Sequence, residues 1–305
     1  MKKAVIVFFI LLVSCSPEQT TSDIVEETIE VSTTIKTTTT IGTATTSTFI
    51  GCSSLEEEYN EKSFSTVALA KPYSGQMISN NFTIQGCSSS YEGNVIWEII
   101  EPIFGNIVSS SFTNGGTMDM GIFSFELDTT NFDDGKYYLR VMETDPSNGE
   151  SSLKLNETFI PIYVNNVSNP DAVTEFGCSN LINTYNDISS QFNDWFNWSV
   201  DVIESPFPGE IISNTYKVKG CASAPVETIL WELLDAYNNV IERGSEMVGP
   251  TGNMTNFSFQ LDTTAYDNGR YFIKVFEPTD GSCCEGAGTE SKVKPQTLIP
   301  IFIDN

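Results

Sequence analysis

The chain has 305 residues, a formal net charge of −25 and no histidine. The missing histidine excludes Ser-His-Asp and Cys-His catalysis and removes the commonest zinc ligand. The strong negative charge disfavours nucleic acid and anionic lipid headgroups as partners, and it is typical of a soluble module or of one with a cationic partner.

Residues 1–14 have the pattern of an export signal. A lysine-containing start is followed by the apolar stretch Ala4–Val13, which is too short to span a bilayer as a helix. The stretch ends in Leu-Val-Ser-Cys15, which resembles the lipobox of bacterial lipoprotein precursors. The resemblance implies that the Cys15 thiol carries a diacylglycerol, which holds the exported protein at the extracellular face of the cell membrane. An ordinary signal peptide with an incidental cysteine is the alternative.

Residues 15–48 form a threonine-rich segment with few large apolar side chains. Such a composition cannot bury a core, so we predict that the lipidated N-terminus continues into a disordered stalk. As a flexible coil the stalk would reach about 30 Å from the membrane.

Two later segments of the chain are copies of one another. Lys71–Val141 aligns without a gap on Ser205–Val275, at a constant offset of 134 residues (205 − 71). A repeat of this length is a duplicated domain, because solenoid units run nearer to about 20–50 residues. The shared motifs are Pro-x-x-Gly-x-x-Ile-Ser-Asn, Gly-Cys, Trp-Glu, Phe-Ser-Phe-x-Leu-Asp-Thr-Thr and Asp-x-Gly-x-Tyr. We predict two domains in tandem, residues 49–167 and residues 174–305.

Each copy shows the pattern of an all-β fold, so the predicted class is two tandem immunoglobulin-like β-sandwich domains. Short alternating segments separated by Gly, Pro, Asn and Asp turns predict a sandwich of about seven strands. The period of two places Trp97 in the core and Glu98 toward solvent, and Trp231 and Glu232 repeat this arrangement. Helical periodicity is indicated only around Leu181–Phe196. The strands predicted in the first copy are Thr66–Ala70, Asn81–Gln85, Val95–Ile100, Asn106–Ser111, Ile122–Asp128, Lys136–Glu143 and Thr158–Val164.

The cysteines indicate disulfides in an oxidising compartment. The sequence holds seven, and with Cys15 assigned to lipid an even number remains. The duplication favours Cys52 with Cys87 and Cys178 with Cys221. Each bond would fasten a segment upstream of the sandwich to its second strand.

Cys283 and Cys284 are then left as an adjacent pair in the long loop before the last strand. A disulfide between neighbours is strained and easily reduced, so one hypothesis is a rigid, ligand-facing or redox-labile loop tip. A local staple of a long loop, or separate bridges to other cysteines, is the simpler interpretation.

The motif Asp-x-Gly-x-Tyr precedes an apolar alternating run in both copies and resembles the tyrosine corner of immunoglobulin-type sandwiches. The resemblance implies that the tyrosine hydroxyl bonds back to the backbone. The rival interpretation is a calcium loop, which needs about six to eight oxygen ligands and is disfavoured because the second copy replaces one aspartate with Asn268. No other cofactor or metal is indicated. The corner residues are Asp133, Gly135 and Tyr137, then Asp267, Gly269 and Tyr271, and the calcium alternative uses Asp128, Asp133 and Asp134, with Asp262 and Asp267 in the second copy.

The second copy carries an aromatic insertion, Gln191–Trp198, that the first copy lacks. Its residues Trp195, Phe196 and Trp198 are candidates for an exposed platform that stacks on sugars or docks a partner protein. The alternative is a small satellite core over a sheet edge.

The order of these motifs resembles one known family. Pro206-x-x-Gly209-x-x-Ile-Ser-Asn, followed by Gly220-x-Ala and a closing Ile-Pro-Ile, resembles the immunoglobulin-like domain associated with bacterial spore germination, the Gmad2 family. The first copy matches as well, except that Ser88 stands in place of the alanine. The resemblance implies a β-sandwich accessory module without catalytic residues. The paired cysteines depart from the family pattern, and a role in germination is not carried over.

Taken together, the sequence predicts a non-catalytic cell-surface lipoprotein. Its tandem domains would bind or position an envelope component such as a glycan, peptidoglycan or a surface protein, and the lipid would attach it to the membrane. A purely structural spacer without a ligand is the alternative. A secreted hydrolase or a solute-binding transport protein is a third class, disfavoured by the missing catalytic groups and α/β lobes.

Overall fold

The computed structural model describes residues 66–90, 92–102, 105–117, 119–143, 156–166, 177–189, 200–224, 227–249, 253–278 and 296–305. Within this part of the chain, one helix, α1 (Cys178–Ser189), separates two sets of strands. No helix there is long and apolar enough to cross a lipid bilayer. The first set is β1 (Val67–Lys71), β2 (Met77–Ile78), β3 (Asn81–Ser90), β4 (Asn94–Ile100), β5 (Ile107–Asn114), β6 (Gly116–Thr117), β7 (Gly121–Asp128), β8 (Gly135–Glu143) and β9 (Glu157–Val164). The second set is β10 (Val200–Ser205), β11 (Ile211–Ile212), β12 (Thr215–Ser223), β13 (Thr228–Asp235), β14 (Val240–Met247), β15 (Thr255–Asp262), β16 (Gly269–Phe276) and β17 (Gln296–Ile303).

Each set of strands forms a sandwich of two sheets that are antiparallel except for the two-residue strands β2, β6 and β11, which pair parallel. In the first, β3 lies between β1 and β7, and the facing sheet runs β9-β8-β4-β5. In the second, β12 lies between β10 and β15, and the facing sheet runs β17-β16-β13-β14. This is an immunoglobulin-like architecture. The prediction of an all-β protein with two tandem domains of this type is confirmed.

The two tryptophans fill the centres of the sandwiches. Strand β4 alternates half-buried and buried positions, because successive side chains point to opposite faces, and Trp97 points inward. Its ring stacks on Phe125 with centroids 4.7 Å apart, and Trp231 stacks on Phe259 at 4.3 Å. Both phenylalanines belong to the repeated Phe-Ser-Phe motif. Two of the shared motifs therefore meet in each core.

The glutamates after the tryptophans lie on the outward face, as the period of two predicted, but their side chains are only partly exposed. Glu98 lies directly opposite Arg140 on the neighbouring strand, with a charged N–O distance of 3.5 Å. Glu232 lies opposite Lys274 at 3.9 Å. These cross-strand partners cover the carboxylates, and the two glutamate side chains are only 16% and 17% exposed.

Some strands and the helix begin or end at residues other than those predicted. The strands differ where hydrogen bonding to a neighbouring strand extends beyond the alternating sequence pattern. Strand β3 continues to Ser90 because it pairs with β1 and, at its end, with β6. Strand β5 begins one residue later than predicted, at Ile107, and runs on to Asn114 along β4. Helix α1 begins three residues before the periodic segment that indicated it.

The two sandwiches share one sheet. Strands β9 and β17, the last of each set, pair antiparallel with Phe159 opposite Leu298. The result is a sheet in the order β14-β13-β16-β17-β9-β8-β4-β5, which runs through both domains. The domains are therefore joined along their closing strands and not merely through the connecting segment.

Candidate functional site

A disulfide bond joins Cys178, the first residue of α1, to Cys221 on β12, with Cα atoms 5.7 Å apart. The bond fastens the helix to β12, and it joins the two cysteines that the duplication favoured as a pair. Cys87 is buried on β3, at the position that corresponds to Cys221. Its predicted partner Cys52 lies outside the described residues.

Other predicted sites also fall outside the described residues. The predicted lipid attachment residue Cys15, the adjacent Cys283 and Cys284, and the aromatic residues Trp195, Phe196 and Trp198 belong to this group. For these residues the sequence-based predictions stand as they were made.

The Asp-x-Gly-x-Tyr motifs form two equivalent corners. The hydroxyl of Tyr137 donates to the carbonyl oxygen of Asp133, and that of Tyr271 donates to the carbonyl of Asp267, both at 3.1 Å. Gly135 has a φ of 152° and Gly269 a φ of 154°, which is a range that side-chain-bearing residues rarely adopt. The two corners have the same geometry in both domains.

The shared motifs Ile-Ser-Asn and Leu-Asp-Thr-Thr contribute to the same corner. Asn80 has a φ of 52°, and its carbonyl accepts hydrogen bonds from the backbone and hydroxyl of Thr129 at 2.8 and 2.9 Å. Asn166 then donates to the carbonyl oxygens of Thr129 and Phe132. In the second domain Asn214, Thr263, Tyr266 and Asn305 repeat the arrangement. These motifs recur because they close the sandwich.

Two carboxylates of the calcium alternative, those of Asp128 and Asp134, serve this corner too. Asp128 accepts hydrogen bonds from the backbone and hydroxyl of Thr130, which lower the pKa of its carboxyl. Asp134 accepts from the backbone of Asn166 at 2.7 Å, and Asn268 accepts from Asn305 at 3.0 Å. The amide oxygen of Asn268 thus accepts the same backbone hydrogen bond as the carboxylate of Asp134. This position of the corner therefore requires a hydrogen-bond acceptor and not a negative charge. Among the residues that the structure describes, no group of three or more acidic or cysteine side chains is arranged to hold a metal ion.

The most unusual chemistry lies at the junction between the domains. Its apolar centre consists of residues on the outward faces of the two joined sheets, and all are buried. They form three equivalent pairs, one member from each domain, and the opposed pair marks an approximate twofold axis between β9 and β17. The pairs are Ile100 with Leu234, Tyr138 with Phe272, and Phe159 with Leu298.

Two charged pairs repeat this twofold relationship. Lys136, which is 3% exposed, is attracted by Glu277 of the other domain, and its equivalent Arg270 is attracted by Glu143. Burial lowers the pKa of Lys136 to about 8 although Glu277 and Asp201 oppose the shift. Burial likewise lowers the pKa of Arg270 against the attraction of Glu143. Each domain therefore contributes a cation near an acid of the other, and the pair of Lys136 and Glu277 is buried whereas Arg270 and Glu143 are partly buried. Removing one member of the buried pair would leave its partner buried and uncompensated.

Asp201 breaks the symmetry. It is 1% exposed, and neither of its carboxylate oxygens has a hydrogen-bond partner among the described residues. Burial and the nearby Glu277 raise its pKa well above the ordinary value, while Lys136 opposes the shift. The equivalent position in the first domain is Val67, which is also buried. The junction thus contains one buried acid, Asp201, whose equivalent in the first domain is the apolar Val67.

Helix α1 packs across one end of the junction. Cys178, Leu181 and Tyr185 are spaced three and four residues apart, so they share one face of the helix. This face packs in a buried cluster with Met77 and Tyr163 of the first domain. Val202, Cys221 and Met254 of the second domain complete this cluster, which we call the helix-side cluster.

The contact with the first domain is close. A Cβ added at Gly75, where φ is 77°, would meet Leu181 at 2.7 Å. The backbone N–H of Cys178 donates to the Glu204 carboxylate at 3.2 Å, which places a negative charge at the start of the helix. The helix is therefore held by both domains.

Sequence reasoning missed the junction. Tyr138 and Lys136 occupy outward positions of an alternating strand, which ordinarily face water. The one available signal was that Tyr138 and Phe159 have apolar counterparts, Phe272 and Leu298, at the same outward positions of the second copy. Outward apolar residues that recur in both copies indicate a contact shared by both.

We expect Asp201→Val to raise the free energy of unfolding near neutral pH by about 1–3 kcal/mol, because it removes a buried carboxyl without hydrogen bonds. The pKa of Asp201 is higher in the folded state than its ordinary value of 3.8. The folded protein therefore binds more protons than the unfolded chain above about pH 4, so this residue makes stability fall as pH rises through that window.

Urea unfolding across that pH range should show the slope in the parent protein and its reduction in Asp201→Val. The matched control is Val67→Asp, which places a carboxyl at the equivalent position and should shift stability in the opposite direction. Equal stability of Asp201→Val and the parent at every pH would contradict the assignment.

The fold and its junction define a class: a tandem of immunoglobulin-like β-sandwiches joined by a pseudo-symmetric interface. Residues 66–150 and 200–282 match the family described as the immunoglobulin-like domain of bacterial spore germination, Gmad2. The two matches together cover more than half of the chain, which therefore belongs to the Gmad2 family.

Similarity beyond the family is weak. No curated protein sequence matches the chain. An endo-beta-1,4-mannanase from Thermotoga petrophila is 17% identical, with a TM-score of 0.26, over 33% of this chain and 20% of that one. A tetra-tandem repeat from the extending region of a large adhesion protein is 13% identical, with a TM-score of 0.22, over 76% and 49%. A chimeric titin Z1Z2 tandem is 12% identical, with a TM-score of 0.20, over 78% and 100%. The chain thus spans a fifth of the first of these structures and about half of the second.

Proposed function

We propose that the protein is a non-catalytic lipoprotein of the cell surface, in which the two sandwiches form one rigid body that binds or positions an envelope component. The observation that carries the proposal is the junction, where a shared sheet, a buried apolar centre and reciprocal charges join the domains. Domains linked by a large buried contact lose the relative motion expected of tandem domains. A rigid body that follows the predicted stalk is suited to presentation at a distance from a membrane.

The chemistry of the chain agrees with a role in binding or presentation. There is no histidine in the sequence, and the acids Asp201 and Glu277 and the lysine Lys136 at the junction are all buried. The candidates for the envelope component are a glycan, peptidoglycan or a surface protein. The aromatic insertion with Trp195, Phe196 and Trp198 is the proposed contact surface, since aromatic rings stack on sugars and anchor protein interfaces.

The anchoring part of the proposal is tested at Cys15. In a bacterial host that processes lipoproteins, the parent protein should fractionate with membranes and carry a diacylglycerol-modified N-terminal peptide in mass spectrometry. The Cys15→Ala variant should lose the lipid and appear in the soluble extracytoplasmic fraction. Unchanged membrane association of Cys15→Ala would contradict lipid anchoring.

The binding part is tested separately, by pulldown of isolated cell envelopes and purified peptidoglycan. Trp195→Ala combined with Trp198→Ala should reduce retention by about tenfold, which corresponds to about 1.4 kcal/mol. The matched control is Phe112→Ala, because Phe112 is 69% exposed on β5 and its loss removes an aromatic surface residue elsewhere. Equal retention of all three proteins would favour the alternative, a structural spacer without a ligand.

A further inference from the structure

The twofold relationship at the junction extends to a second buried cluster at its opposite end. The opposite cluster contains Ala68, Cys87 and Met120 of the first domain with Phe302 of the second, and Phe207 and Ile211 pack against it. Each of its main members is the repeat equivalent of a residue in the helix-side cluster. The equivalences are Ala68 with Val202, Cys87 with Cys221, Met120 with Met254, Ile211 with Met77, and Phe302 with Tyr163.

Helix α1 supplies three buried side chains to the helix-side cluster, with partly buried Ile182 packed against it, and no described side chain of α1 belongs to the opposite cluster. Those three residues are Cys178, Leu181 and Tyr185, in the pattern Gly-Cys-x-x-Leu-x-x-x-Tyr. The same pattern stands ahead of the first domain as Gly51-Cys52-x-x-Leu55-x-x-x-Tyr59. The residue pattern of α1, which packs on the helix-side cluster, therefore occurs again in the sequence ahead of the first domain. By the twofold relationship, a helix at that position would correspond to the opposite cluster.

We propose that Cys52–Tyr59 forms a second helix that docks on the opposite cluster, as α1 docks on the helix-side cluster. Cys52 bonds to Cys87, as Cys178 bonds to Cys221. Leu181 lies against Val202 and Gly75. The equivalent position for Leu55 in the proposed helix is against Ala68 and Gly209. Gly209, with a φ of 87°, has the same left-handed backbone as Gly75. The hydroxyl of Tyr185 donates to that of Ser223 at 3.4 Å. Ser89 is the equivalent of Ser223, so the proposed helix places Tyr59 near Ser89.

The disulfide in this proposal forms by thiol–disulfide exchange. The two cysteine thiols lose their protons, and two electrons pass to the disulfide of an extracytoplasmic thiol oxidant, which leaves as a dithiol.

The second helix would contact both domains. The opposite cluster includes Phe302 and Ile211 of the second domain, whereas Cys52–Tyr59 precedes the first. The segment that precedes the first domain is thereby fixed to the shared junction through contacts with both domains. This inference stands independently of what the protein binds.

The covalent part is tested by peptide mapping of the full mature protein under non-reducing conditions. A peptide that links Cys52 to Cys87, beside one that links Cys178 to Cys221, is the expected result. Cys87 found as a free thiol, or joined to any other cysteine, overturns the proposal.

Hydrogen exchange followed by mass spectrometry tests the docking. In the parent protein the amides of residues 53–60 should exchange at least about tenfold more slowly than those of the threonine-rich stalk. Phe302→Leu should speed exchange in residues 53–60 and leave α1 unchanged. Tyr163→Leu, the matched control at the equivalent position, should speed exchange in α1 and leave residues 53–60 unchanged.

Leucine retains most of the buried volume, which keeps both variants folded, and the parent measurement stands without them. Exchange in residues 53–60 as fast as in the stalk overturns the proposal. Protection that depends on protein concentration also overturns it, because a second copy of the chain would then be the occupant of the opposite cluster.

Discussion

Phe272→Ala is expected to lower the free energy of unfolding by about 3–5 kcal/mol, the usual cost of truncating a buried phenylalanine, and to uncouple the two domains. Phe272 is 0% exposed, although it points away from the core of its own sandwich. Its loss leaves a cavity at the centre of the junction, opposite its equivalent Tyr138. The side chain therefore stabilises the contact between domains more than either domain alone.

Calorimetry distinguishes these effects. The parent protein should unfold in one transition, with a calorimetric enthalpy close to the van't Hoff enthalpy. Phe272→Ala should show two transitions or a ratio of enthalpies clearly above one. Ile241→Ala is the control, because Ile241 is 42% exposed at the sheet edge and its loss should change stability by no more than about 0.5 kcal/mol. A single transition at the parent temperature in Phe272→Ala would contradict a coupled junction.

Loss of the Cys178–Cys221 bond is expected to have a comparable effect. The two cysteines are separated by 43 residues, and the chain-entropy relationship gives about 4 kcal/mol for a loop of this length. Removing the bond also releases the start of α1 from β12, so the helix should exchange its amide hydrogens faster than the strands do. Cys178→Ser and Cys221→Ser, measured by urea unfolding and hydrogen exchange, report both effects.

The single and double variants provide the internal control for this prediction. Because either substitution breaks the same cross-link, each single variant should lose almost all of the stability that the double variant loses. Additive losses would show that the serines act through local packing instead of the cross-link.

The strands and the cores were predictable from sequence because they depend on local alternation. Trp97, Phe125 and their equivalents lie inward at the period of a strand, and the repeat showed each motif twice. The corner residues Asp133 and Tyr137 were recognisable because their bond spans only four residues.

The junction was not predictable in the same way. Whether an outward residue such as Tyr138 meets water or another domain depends on a contact between residues far apart in the chain. Lys136 has the pattern of an ordinary surface cation, and its burial follows only from the pairing of β9 with β17. The spacing of Cys178, Leu181 and Tyr185 was visible in the sequence. What those side chains cover was not.

The pseudo-symmetry of the junction has an evolutionary consequence. In an assembly of two identical subunits, every substitution at a twofold interface appears on both sides at once, and a change that suits one side but harms the other is rejected. Fusion of the two copies into one polypeptide removes that constraint. Valine and aspartate can then occupy corresponding places, as can arginine and lysine, and each half of the contact is free to specialise while the other preserves the original fit.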